Sequence, residues 1–200
     1  RVRQFMDMLT ANGWTVLTAK YGDRLTELMH RPGGEALRRR IDDMSNEEYQ
    51  GLLVSDHGEL KGRLLDGAGK GRSDLQRCVG DVDDDELYER ITNLGGHDVG
   101  YLSRLLKKAT DTPGSTAVFA YTVKGWGLHS AADPRNHAAT LTPKQFDQLA
   151  ETTGRDPANP WERFSESSAE HKYINDAIRR LGIRDTTVEP PLEFVDTQMS

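Results

Sequence analysis

Apolar residues recur along this chain at two different spacings, and the alternation between them predicts the architecture. Val2, Phe5, Met6 and Leu9 fall on one helical face, and Asn12-Gly13 supplies a stop, so residues 2–11 are predicted to form an amphipathic helix. Trp14 to Ala19 is rich in aromatic and β-branched residues and predicts a short strand. From Tyr21 to Asn93 the pattern turns polar and helical with no convincing strand. Within this stretch Ser45 and Glu48 form a capping-box pattern ahead of Tyr49, Leu52 and Leu53. Five acids between Asp81 and Glu86 sit where they complement the dipole of a following helix. The stretch 21–93 is therefore expected to be a helical insertion.

Asp98 has the position of an N-cap for a helix that carries Leu102, Leu105, Leu106 and Ala109 on one face, broken at Pro113-Gly114. Thr116 to Val123 is nearly continuous in apolar and β-branched residues, which fits a parallel strand covered on both faces. A polar, glycine-containing connection of about 18 residues, Lys124 to Leu141, follows, far beyond the usual loop of about 4–6. Thr142, Pro143 and Gln145 then open a helix with a cap, a proline at its first position and a capping-box partner. Ser167 and Glu170 are expected to cap a last helix with Tyr173, Ile174, Ala177, Ile178 and Leu181 facing inward, ended by Gly182. Helix, turn and strand in this rhythm predict an α/β fold: a parallel sheet flanked by helices, interrupted by the helical insertion. The expected organisation is one domain over 1–155, then a linker and helix over 156–200. An apolar fraction of 36% is low for a self-contained domain, and a helix with no cap at residue 1 predicts chain before it.

The formal charge of -6 argues against a nucleic-acid module, and no run approaches the roughly 20 apolar residues of a membrane span. Cys78 is the only cysteine, so no internal disulfide can form; with no signal-peptide pattern, the expectation is a cytoplasmic protein. Gly67 to Gly71 resembles a phosphate loop but fails at Leu64 and Gly71, where that motif needs glycine and a hydroxyl residue. In open α/β sheets, ligands bind beyond the carboxyl ends of the strands. Lys124-Gly125-Trp126-Gly127 occupies such a place, with glycines that allow close approach of the backbone and a lysine able to face an anion. A surface lysine before a turn is the competing interpretation. Leu94-Gly95-Gly96-His97-Asp98 is read as a tight turn into a capped helix, with direct contact to a ligand as the alternative. His129 and His137 lie in the long connection, where an imidazole could move protons near neutral pH.

Taken together, Asn93 to Asp98, a helix, a strand, and Tyr121 to Gly127 resemble the cofactor domain of the homodimeric pyruvate dehydrogenase decarboxylating component, a thiamine-diphosphate enzyme of the transketolase-like superfamily. Ala11 to Val16 and Ser168 to Tyr173 extend the resemblance along nearly the whole chain. The insertion at 21–93 favours pyruvate dehydrogenase over transketolase. The resemblance implies an internal fragment of a partial thiamin-diphosphate-binding fold. In the whole enzyme it implies decarboxylation of a 2-oxo acid and transfer of the acyl group to a lipoylated acyltransferase partner, in a homodimer. It further implies Lys124 as a cofactor contact and His137, or alternatively His129, as the histidine of an active loop. Trp126 stands where the pattern usually has tyrosine. The Gly-Asp-Gly and Asn segments that bind diphosphate and Mg2+ are not in the sequence, so the metal ligands are expected outside these residues, and the fragment alone is expected to be inactive. Transketolase-like two-carbon transfer and a non-catalytic interaction module are the alternatives.

Overall fold

In a computed structural model, residues 2–133, 138 and 140–183 are described. His137 lies outside them. Two compact units, Arg1–Leu141 and Thr142–Ser200, divide the chain ahead of the helix that the sequence reading groups with residues 1–155.

The first unit opens with helix α1, Val2–Ala11, and strand β1, Thr15–Ala19. The turn between them rests on Gly13, at φ 80°, a left-handed conformation that a side chain would strain. Six helices follow: α2 (Asp23–Met29), α3 (Gly34–Asp43), α4 (Asn46–Leu53), α5 (His57–Asp66), α6 (Arg72–Val79) and α7 (Asp84–Ile91). Helix α8, Val99–Asp111, then returns the chain to strand β2, Thr116–Ala120, which pairs with β1 in parallel from Thr15 opposite Thr116 to Ala19 opposite Ala120. The parallel pair flanked by helices, with a helical insertion, is the fold expected from the sequence.

The buried apolar core belongs to the insertion. Leu25, Leu28, Leu37, Leu60, Leu64, Leu75, Leu87 and Ile91 are fully buried against one another, drawn from α2, α3, α5, α6 and α7. Ser45 caps α4 as its position predicts, accepting from the Glu48 amide, and Asp83, one of the acids before α7, caps that helix by accepting from the Asp85 and Glu86 amides. Arg40 is the one charged side chain buried among the described residues; its guanidinium donates to the Leu64 carbonyl at 3.1 Å and pairs with Glu48, tying α3, α4 and α5 together.

The sheet layer differs. Neither α1 nor α8 buries a residue fully, and Phe5, Met8 and Leu106 stand about half exposed. Phe5 meets Phe119 edge-on at 6.1 Å, and the Tyr101 hydroxyl reaches the Thr18 carbonyl at 3.4 Å, so both helices do pack on the strands. Two expectations need correction here. Strand β2 ends at Ala120 rather than Val123, because past the Tyr121 amide, which still donates to the Ala19 carbonyl, the two exits bond to Gly95 and Gly96 instead of to each other. It is also half-buried rather than fully covered, with Ala120 exposed.

In the second unit, Thr142 and Gln145 form the predicted capping box of α9, Pro143–Thr152, with Pro143 in the first turn. Helix α10, Ala169–Leu181, is capped by Ser168 rather than Ser167, and ends at Gly182 with φ 63°. Its apolar residues do not face inward as expected. Tyr173, Ile174, Ile178 and Leu181 are exposed, because the described part of this unit builds no core for them to enter.

Candidate functional site at the strand exits

Both strands point their carboxyl ends the same way, so Lys20-Tyr21 and Tyr121 to Lys124 leave the sheet side by side. The insertion starts and finishes there. Tyr21 bridges Leu94 in antiparallel fashion, the Gly22 amide donates to the Asn93 carbonyl at 2.8 Å, and the Gly95 amide to the Lys20 carbonyl at 3.1 Å. The Gly96 amide then donates to the Tyr121 carbonyl at 3.0 Å, so the Gly95-Gly96 pair crosses both strand exits in succession. No side chain fits at either position. A Cβ on Gly95 would stand 2.6 Å from the Ala19 carbonyl carbon, and one on Gly96 would stand 2.3 Å from the Tyr121 oxygen.

Asp98, just after the pair, has three donors. It accepts from the Tyr101 amide at 2.9 Å as the cap of α8, from the Asp23 amide at 2.9 Å at the head of α2, and from the Asn93 side chain at 3.3 Å. Burial pushes its carboxyl up, but these bonds and the nearby Arg104 outweigh it and hold Asp98 below the usual carboxylate range. The segment is thus a turn and a cap, as the sequence suggests, and also a knot joining sheet, insertion and α8.

A cavity of about 310 Å³ lies between the strand exits and the insertion. Lys20, Tyr21, Leu94 and Val123 wall it on the sheet side; Asp42 and Tyr49 wall it on the helical side. Asp42 accepts from both Lys20 and Tyr21. Its carboxyl is lowered because these bonds and the charges of Lys20 and Arg38 outweigh burial, whereas burial and the bond to Asp42 push the Tyr21 phenol up. The Lys20 ammonium also lies 5.1 Å from the Tyr21 ring and 5.8 Å from the Tyr121 ring, within cation–π range.

Lys124 is the residue after Val123 of that wall, and it is exposed. Gly125 and Gly127 flank Trp126 with φ of 74° and 79°, values that require glycine, and the Lys124 carbonyl accepts from the Ala132 amide at 3.3 Å. His129 lies further along the same connection and is exposed. No group of three or more His, Cys, Asp or Glu side chains able to hold a metal occurs among the described residues, nor does any helix long and apolar enough to cross a membrane.

The sequence singles out Lys124 and the glycine pair but not Lys20, Tyr21, Asp42 and His97, which the structure gathers at the strand exits. Lys20 and Tyr21 carry a usable signal, since they leave β1 as Lys124 leaves the segment after β2. Asp42 carries none, because only the folded insertion brings α3 to the strand exits. His97 is hidden by its neighbours: beside two glycines and a cap it looks like part of a turn.

These features define an α/β unit whose candidate site lies at the carboxyl edge of a parallel pair, walled by a helical insertion. No family model matches the chain. Over 84% of its length it is similar, at 26% identity, to the pyruvate dehydrogenase E1 component of Escherichia coli strain K12. Over 85% of its length it is 28% identical to the component of that name from Buchnera aphidicola of Acyrthosiphon pisum, and over 90% it is 23% identical to that of Corynebacterium glutamicum. The chain spans about a fifth, 20%, of the length of these relatives. The resemblance stated from the motifs is the one that the comparisons return.

Proposed function

We propose that this chain is part of a thiamine-diphosphate-dependent 2-oxo acid dehydrogenase that acts on pyruvate and passes the acyl group to a lipoylated acyltransferase, as a cytoplasmic homodimer. The observation that carries the proposal is the strand exit itself. A lysine followed by a glycine in a left-handed conformation, which side chains rarely adopt, leaves the carboxyl edge of a parallel pair, one residue from a cavity wall. The relatives' shared name as pyruvate dehydrogenase E1 components supplies the chemistry.

The exposed lysine and the open approach at Gly127, where a Cβ would meet nothing within 4 Å, suit a diphosphate, which needs a cation and close backbone donors. When bound, thiamine diphosphate supplies the carbon nucleophile and the electron sink for decarboxylation. Within this chain, Lys124 contributes charge to hold the diphosphate, and the insertion walls the cavity beside it. The ligands of an accompanying Mg2+ belong to the Gly-Asp-Gly and Asn segments that the resemblance implies outside these residues. Proton handling near the substrate falls to His137 on the connection after β2.

The test is an assay of the full-length protein with pyruvate and a lipoylated acyltransferase, run beside sugar phosphates. Acyl transfer from pyruvate is expected; turnover of sugar phosphates alone would replace the dehydrogenase with two-carbon transfer. His137→Ala should lower turnover by at least about tenfold while leaving thiamine-diphosphate affinity within about twofold. If His129→Ala produces that pattern and His137→Ala does not, the role belongs to His129.

A further inference from the structure

The Val123 amide lies three residues past the end of the β2 ladder, with β1 already turned away into the insertion, and a half-buried N–H there needs an acceptor from elsewhere. It donates to Nε2 of His97 at 2.7 Å. A backbone amide can only donate, so Nε2 must offer its lone pair, and the ring is the neutral form with its proton on Nδ1. Burial, which pushes the imidazole below its usual range, agrees with a neutral ring.

The same imidazole lies flat against the Trp126 indole, with centroids 4.6 Å apart and planes 10° from parallel. Val123 to Trp126 form a β-turn: the Trp126 amide donates to the Val123 carbonyl at 3.2 Å, and the third residue, Gly125, has φ 74°, the pattern of a type II turn. Lys124 is the second residue of this turn. One ring therefore grips the turn at its first residue through a hydrogen bond and at its fourth through stacking, and Lys124 projects from between the two grips. The ring is itself held, because the His97 amide donates to the Leu94 carbonyl at 2.9 Å and the preceding glycines are pinned beneath the strand exits.

We propose that His97 is a positioning residue for Lys124: its neutral imidazole clamps the Val123–Trp126 turn at both ends and so sets where the lysine is presented. The clamp stands on the turn's own geometry, and its consequence for cofactor binding rests on the function proposed above.

Peptide-resolved amide hydrogen exchange on the full-length protein without added cofactor tests the clamp. His97→Phe keeps a flat ring for Trp126 but removes the acceptor, and should speed exchange of the Val123 amide at least tenfold while peptides of the insertion core exchange as in the parent. His97→Gln returns an acceptor near the Nε2 position and should recover a substantial part of that protection, which a merely space-filling role would not produce. Parent-like exchange in His97→Phe, or equal exchange in the Phe and Gln variants, overturns the proposal. Should His97→Phe disturb the insertion core as well, Trp126→Leu decides, since that side chain is 59% exposed and its loss leaves packing intact; unchanged protection of Val123 there overturns the clamp, and faster exchange supports it. Thiamine diphosphate titration separates the two proposals. His97→Phe should weaken binding about tenfold and His97→Gln less, whereas an unchanged titration in Lys124→Ala would remove the cofactor reading and leave the exchange result standing.

Discussion

Replacing Gly96 by alanine is expected to open the junction between sheet and insertion at a cost of about 3 kcal/mol, the upper part of the range for forcing atoms into a packed site. The added Cβ would stand 2.3 Å from the Tyr121 oxygen and 2.6 Å from the Thr122 methyl. The carbonyl is backbone and is already bonded to the Gly96 amide, so relief requires the segment to lift off the strand exit and lose that bond. Amide exchange should report it as a roughly hundredfold loss of protection at Gly96 and neighbouring exit amides, by the 1.4 kcal/mol per tenfold relation. Gly100→Ala is the matched control. It lies in α8, a Cβ there would meet nothing closer than 3.6 Å, and the change should stabilise by about 0.5–1 kcal/mol. Equal effects of the two substitutions would mean that the close crossing at Gly96 does not govern the junction.

Asp98→Ala is expected to cost a similar amount, about 3 kcal/mol. Loss of the α8 cap accounts for about 1 kcal/mol, and loss of a charged acceptor by the Asp23 amide and the Asn93 side chain for the remainder. Asp98→Asn keeps an acceptor oxygen without the charge and should cost less. The pH dependence follows from the lowered carboxyl. A group whose folded pKa is depressed contributes stability that is present above its unfolded value, about 3.9, and lost as pH falls through the folded one. The parent should therefore exceed Asp98→Asn in stability at neutral pH, and the gap should close in acid. A gap that persists unchanged into strong acid would show that the Asp98 charge is not the source.

Much of this architecture could be read from local signals. The Gly13 stop, the Ser45 and Asp98 caps and the Thr142-Pro143-Gln145 start are each decided by a few neighbouring residues, and the structure has them where the sequence places them. The length of β2 could not be read that way. Tyr121 to Val123 look like strand by composition, but pairing stops where β1 stops, and the chain is held beyond that point by Gly96 and His97 from a distant part of the sequence. The apolar stripe of α10 predicts burial that its own unit does not provide. For the candidate site, the rule that ligands gather beyond strand ends is enough to single out Lys124, and applied to β1 it would also single out Lys20 and Tyr21. Asp42 needs the folded insertion, and the part played by His97 needs the turn that it grips.

A thiamine diphosphate titration of full-length Lys124→Ala tests most directly whether the strand exit presents Lys124 to a diphosphate. Affinity is expected to weaken by about 1.5–3 kcal/mol, roughly ten- to hundredfold, as when a charge-assisted hydrogen bond is lost. A binding curve that overlays that of the parent would contradict this role of Lys124.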